Sequence, residues 1–201
     1  MTDGVKGPIY RRLLAILVVA TVFMAQTVQA SGSDKDVTSG TEDAATSASS
    51  QLIAYDALPP LKQVGKSSLR AMVFKVFDSV LFTETGEWRD PKTSFRYELT
   101  YARNILGSVL ASQTTKEWNH LGFTDKRQAS WVKYLEMIWP DVSKGDTITF
   151  DVDASGVSRF YFNGNWLGAV EDPDFAPMFI AIWLSPETSR PAHREGLLAD
   201  S

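Results

Sequence analysis

The chain has 201 residues, a formal net charge of −4 and no cysteine. Such a balance opposes nucleic-acid binding, which needs clustered Lys and Arg to release counterions, and the missing thiols exclude disulfides, thiol catalysis and thiolate metal sites. At 44% hydrophobic and 22% charged residues, the composition is that of one globular domain with extensions.

Residues 1–30 read as a secretion signal. Arg11-Arg12 closes a basic head, Leu13 to Met24 is apolar except for Thr21, and Val28-Gln29-Ala30 ends in small residues. The apolar run falls short of the roughly 20 residues that cross a bilayer, so cleavage is expected, with function in the periplasm or outside the cell. Membrane contact is then expected only through this segment before cleavage. Removing it leaves 17 basic and 23 acidic residues. Residues 31–50 are rich in Ser, Thr, Ala, Gly and Asp and have no aromatic, so they bury too little apolar surface to offset ordering and read as a flexible tether. The folded domain is expected over residues 51–201.

Leu69 to Phe82 reads as one central strand, apolar on both alternating faces. Phe95, Tyr97, Leu99 and Tyr101 alternate with polar residues, the pattern of a half-buried strand. Gly107 to Gly122 reads as a helix, with Ser108 as its cap and Gly122 as a left-handed stop. A second helix is expected after a Thr124 cap, with Trp131, Tyr134, Leu135 and Ile138 on one face and Pro140 ending it. Ile148, Phe150 and Val152 alternate with Thr147, Thr149 and Asp151. The next two strands, Val157 to Phe162 and Trp166 to Val170, are joined by Asn163-Gly164, whose residues accept the positive φ that a tight hairpin needs. Phe175, Met178, Phe179, Ile182 and Trp183 have helical spacing with Pro177 in the first turn, and Ser189 with Pro191 opens a final helix through Leu198. Strands in runs followed by paired helices predict an α+β fold, an antiparallel sheet with helices layered on it.

Several segments taken together resemble the bacterial chalcone isomerase-like family. They are Val64-Gly65, Val73 to Phe82, Phe95 to Arg103 before a helix, Trp139-Pro140-Asp141-Val142, Lys144-Gly145-Asp146, Phe160 to Gly164, and Ile182-Trp183-Leu184-Ser185-Pro186. The resemblance spans roughly Pro59 to Leu198. It implies an open-faced β-sandwich, a large antiparallel sheet with a helical layer and an apolar cleft between them. Plant enzymes of this fold are isomerases (intramolecular lyases) that cyclise chalcones, using an early-strand arginine with a Tyr, an Asn and Thr residues; other plant members bind fatty acids through an Arg and a Tyr. Here the tyrosine position falls near Leu110, the asparagine near Glu117 and the threonine near Ile182, while Lys66 and Arg70 are the cations nearest to the arginine. Without those polar groups the stabilisation of a developing anion is lost. Chalcone cyclisation is therefore not expected, no catalytic residue is assigned, and the region is expected to be apolar.

Other chemistry is sparse. His120 follows Glu117 by three residues, but a di-iron site needs a second such pair, and the remaining histidine is His193; both read as surface residues, with no metal or cofactor implied. Asp151 to Gly156 resembles the opening of a calcium loop, yet Phe162 stands where the closing Glu belongs, so a hairpin turn is the better reading. Glu171, Asp172 and Asp174 suit a helix N-terminus. Lys66, Arg70, Lys75, Tyr101 and Arg103 are the candidate ligand-binding residues, against the plainer reading in which the cations snorkel and Tyr101 sits in the core. The function expected is non-catalytic binding of a small apolar, fatty-acid-like ligand. The alternatives are an isomerase acting on an unknown enone with other residues, and a protein-interaction module of the cell envelope.

Overall fold

A computed structural model describes residues 53–199; the expected leader and tether lie outside them. Six strands run in chain order across one antiparallel sheet: β1 (Lys62–Ala71), β2 (Phe74–Thr83), β3 (Phe95–Tyr101), β4 (Thr147–Val152), β5 (Ser158–Phe162) and β6 (Asn165–Val170). Four α-helices complete the fold among the described residues: α1 (Gly107–His120), α2 (Gln128–Ile138), α3 (Phe175–Leu184) and α4 (Pro191–Leu198). The α+β class and the order of strands, two helices, three strands and two helices agree with the sequence.

One strand does not. The stretch read as a single central strand is a hairpin, with β1 and β2 paired from Lys62↔Thr83 to Ala71↔Phe74 around Met72-Val73. Its turn carries no Gly or Asn to announce it, and Met72 takes φ 56° instead. By contrast Asn163 (φ 50°) and Gly164 (φ 79°) turn the β5–β6 hairpin as their types predict.

Pairing register divides the side chains between two faces. Phe77, Leu81, Phe95, Tyr97, Leu99, Tyr101, Ile148, Phe150, Val152 and Phe160 line the helix side and are all buried. Phe150 stacks on Phe160 at 5.1 Å and meets Phe179 edge-on at 4.8 Å, joining the sheet to α3. From α1, Trp118 donates its indole N–H to the Met178 carbonyl at 2.8 Å.

The helix starts differ from expectation. The N–H of Gly107 is satisfied by the Asp141 carboxylate at 2.9 Å, not by Ser108. Thr124 does not cap α2, which begins at Gln128; Asp125 accepts the Arg127 N–H at 2.8 Å instead. Arg127 also ties Asp125 to Asp172 and Asp174, so those carboxylates before α3 hold a side chain of the neighbouring element. α1 stops near Gly122 (φ 74°), and Pro177 sits in the first turn of α3 as expected.

The other face of the sheet is polar and is crossed by the segment before β1. Tyr55 donates to Glu98 at 2.7 Å, Tyr161 donates to the Ile53 carbonyl at 2.9 Å, and Arg96 reaches the Pro59 carbonyl. Arg96 pairs with buried Asp151 at 2.9 Å, and buried Arg159 pairs with Asp153 at 2.6 Å. Asp153 also receives the N–H groups of Ser155 and Val157, which makes 151–156 the expected hairpin turn.

α4 lies against β1. A Cβ at Gly65 would collide with the Leu197 carbonyl, and one at Gly196 would press on Ser67. Gly65→Ala is expected to destabilise the domain by about 1–3 kcal/mol, since backbone must move to admit it. Urea unfolding checks this, and a variant as stable as the parent would mean that α4 does not pack here.

Candidate functional site

Where β1–β3 meet α3 and α4, a small polar cluster interrupts the apolar layer. β2 carries Ser79 between Phe77 and Leu81 on its buried side, and β3 carries Tyr97 between Phe95 and Leu99. Pro191 starts α4 so that His193, in its first turn, points back onto these strands. His193 Nε2 lies 3.0 Å from the Tyr97 hydroxyl and 3.2 Å from that of Ser79. All three residues are buried, so the reading of His193 as a surface residue is overturned. His120 is exposed, as expected, with Nε2 3.1 Å from the Glu187 carbonyl.

The surroundings are aromatic. The Phe77 ring meets Trp183 at 5.5 Å, His193 at 5.7 Å and Tyr101 at 5.9 Å, all near-perpendicular. Trp183 is half-buried, but its Nε1 is enclosed without a hydrogen-bond partner, and so is His193 Nδ1. No hydrogen bond engages the Tyr101 hydroxyl among the described residues.

Electrostatically the cluster is neutral. Burial pulls His193 down to about 4, with Arg190 adding to the effect and the Ser68 backbone opposing it. Burial likewise drives the Tyr97 and Tyr101 hydroxyls well above the ordinary phenol range. At neutral pH the ring is uncharged and both phenols keep their protons. Arg190 itself faces Glu117 at 4.0 Å. Ser79 beside His193 is not an activated nucleophile, because it is fully buried and no carboxylate orients the ring.

The residues singled out from sequence fall in two places. Tyr101 is buried beside Phe77 within this site. Lys66 and Arg70 are exposed on β1. Lys75 pairs with Asp78 at 2.7 Å, and Arg103 lies over the Phe74 ring at 5.2 Å. Arg70, Lys75 and Arg103 lie toward the tip of the β1–β2 hairpin and Lys66 midway along it; none joins the buried cluster. Of the positions implied by the resemblance, Ile182 is buried and Leu110 half-buried, both apolar. Glu117 is buried too, taking hydrogen bonds from Gln113 at 2.8 Å and Ser189 at 2.6 Å. The expected apolar region is thus apolar in part, with a hydroxyl–imidazole group supplied from other positions. Ser79 breaking an otherwise apolar face was the available signal for it. His193 carried none, because its burial depends on where α4 docks.

Two surface cavities, of about 230 and 270 Å³, lie apart from this cluster. The first runs beneath the segment 53–61 beside Arg159, and the second lies between the 153–156 turn and the start of α3. No group of side chains able to hold a metal ion occurs among the described residues.

Comparison with known proteins places this architecture. An uncharacterized protein of Haemophilus influenzae is 28% identical over 116 residues, covering 58% of this chain and 57% of that relative, so the match spans little more than half of its length. A crystal structure of a fatty-acid binding protein from Arabidopsis thaliana superposes with a TM-score of 0.53 at 12% identity, covering 69% of this chain and 86% of that one; the likeness is one of fold. The chalcone isomerase-like family matches residues 69–199, and with that match the chain belongs to the chalcone isomerase-like family.

Proposed function

We propose that this protein is an exported, non-catalytic binder of a small apolar ligand such as a fatty acid, held beside Phe77, Tyr101 and Trp183. One observation carries the reading: buried polar groups stand without partners among packed aromatic rings. With the Tyr97 hydroxyl donating to His193 Nε2, the ring proton sits on Nδ1. The buried groups without a partner are then two donors, Nδ1–H and the Trp183 indole N–H, with the Tyr101 hydroxyl close by. A carboxylate or ester head is rich in acceptors and complements them, while the rings receive the chain. The solved relative of this fold that binds fatty acids supports the same class of ligand. Export rests on the basic head, apolar core and small-residue end of residues 1–30.

The same hydroxyls favour a second reading, an isomerase acting on an enone through Tyr97 or Tyr101. Against it stands the neutral cluster. A developing enolate would meet hydrogen-bond donors but no cation directed at it, since Arg190, the cation felt by His193, faces Glu117, and binding takes less than turnover does.

Native mass spectrometry of protein purified from its own host tests both parts of the proposal. The expected protein mass lacks the N-terminal leader, and a lipid-sized adduct should be present and be lost from a Tyr101→Phe/Trp183→Phe double variant. Protein that arrives ligand-free and takes up no added fatty acid would sink the binding reading, and an intact N-terminus would sink export. Added chalcone should keep its visible absorbance, whereas its decay with enzyme concentration would favour the isomerase.

A further inference from the structure

We infer that the β1–β2 hairpin tip docks the protein onto an anionic lipid surface. This departs from the sequence-based expectation that membrane contact is limited to the leader, and it does not rest on the ligand reading above. Large apolar side chains seldom stand together in water on a soluble domain. At this tip Met72 is 78% exposed, Val73 77% and Phe74 57%, three in a row at the outermost point of the sheet. The neighbouring segment adds to them. The Ala102 N–H bonds to the Val76 carbonyl, Arg103 covers the Phe74 ring, and the chain continues to exposed Leu106 and Val109.

The charges around the tip select the partner. Arg70 and Lys75 face each other across the hairpin, two like charges in direct register, with Arg103 alongside. Opposed like charges on paired strands are unfavourable when isolated, and Asp78 is the acid that sits with them. Beyond the leader the chain carries 17 basic and 23 acidic residues, so a basic collar here runs against the overall charge. An apolar wedge ringed by Arg and Lys matches a bilayer of anionic lipid: the wedge enters the acyl boundary and the cations meet headgroup phosphates. An acidic protein groove would satisfy the cations, but it has no need of a three-residue apolar point held out in water.

The absence of cysteine permits a local test in the full chain. Met72→Cys labelled with an environment-sensitive fluorophore should shift to the blue and brighten on vesicles containing phosphatidylglycerol, and respond weakly to phosphatidylcholine alone. An Ala154→Cys label, in the turn at the opposite end of the sheet, should not respond. Arg70→Gln and Lys75→Gln should each weaken the response roughly fivefold. A Met72 label indifferent to both vesicle types overturns the proposal, as does equal response of the two labels or of the two lipids. Burial of the Met72 label in intact cells without any vesicle response would assign the tip to a protein partner instead.

Discussion

Replacing Phe150 by alanine should cost about 3–5 kcal/mol of stability, the range for an aromatic removed from a well-packed core. Phe150 is fully buried and its ring meets those of Phe95, Phe160, Phe175 and Phe179, so β3, β5 and α3 all touch one side chain of β4. The array cannot collapse onto the gap, because each neighbouring ring is itself held by others; Phe175 and Phe179 stack at 5.3 Å on the same helix. A domain of this size has a total stability on the order of 5–15 kcal/mol, so the variant should lose several degrees of Tm for each kcal/mol and approach unfolding at host temperatures. Phe150→Leu, which keeps most of the volume, should cost less than half as much. Urea titration measures both, and an alanine variant within about 1 kcal/mol of the parent would mean that the centre of the layer lies elsewhere.

The second large effect is on pH dependence. An unfolded histidine takes its proton near 6.5, whereas buried His193 holds out until about 4. Between those values the unfolded chain binds more protons than the native one, so stability falls as the pH drops from 6.5 toward 4. Above 6.5 both states are neutral at this residue and it contributes no slope. The loss approaches about 1.4 kcal/mol per pH unit and totals roughly 3 kcal/mol across the window. Asp78, Asp125, Asp146 and Asp153 are held below the ordinary carboxylate range, so their stabilising contributions fade at lower pH than this window. Buried Asp151 is shifted upward and has the opposite sign. Unfolding free energies at pH 7, 6, 5 and 4.5 should decline for the parent and stay nearly level for His193→Gln. Parallel curves for the two proteins would show that His193 titrates freely and that α4 does not seal the cluster. The measurement bears on the proposed function as well, because a protonated His193 could no longer accept from Tyr97, and the donors of the proposed ligand site would be rearranged.

The class of the fold was readable because it is written in local periods. Alternation from Phe95 to Tyr101 and from Thr147 to Val152 marks strands with one covered face, Asn163-Gly164 marks a hairpin, and Gly122, Pro140 and Pro191 mark helix boundaries. Each of these signals acts within a few residues, through sterics and backbone hydrogen bonding that need no distant partner. The quoted family segments extended that reading to the whole sheet. Lys75 stands out as a cation in an apolar strand, a local property too, whereas Lys66 enters only through the family resemblance; the exposure of Met72, Val73 and Phe74 at the hairpin tip is visible only in the structure.

What the tertiary structure alone decided involves residues far apart in the chain. The turn at Met72-Val73 is invisible to turn chemistry, because a methionine with positive φ is tolerated only where the paired strands hold it. Asp141 reaches the first N–H of α1 across 34 positions, and Ser108 beside it goes unused. His193 joins Tyr97 across 96 positions, and its burial, its neutrality and its two hydroxyl partners all follow from where α4 lies on β1. A side chain's environment is set by what packs over it, and that packing is a property of the assembled layers, not of the neighbouring letters.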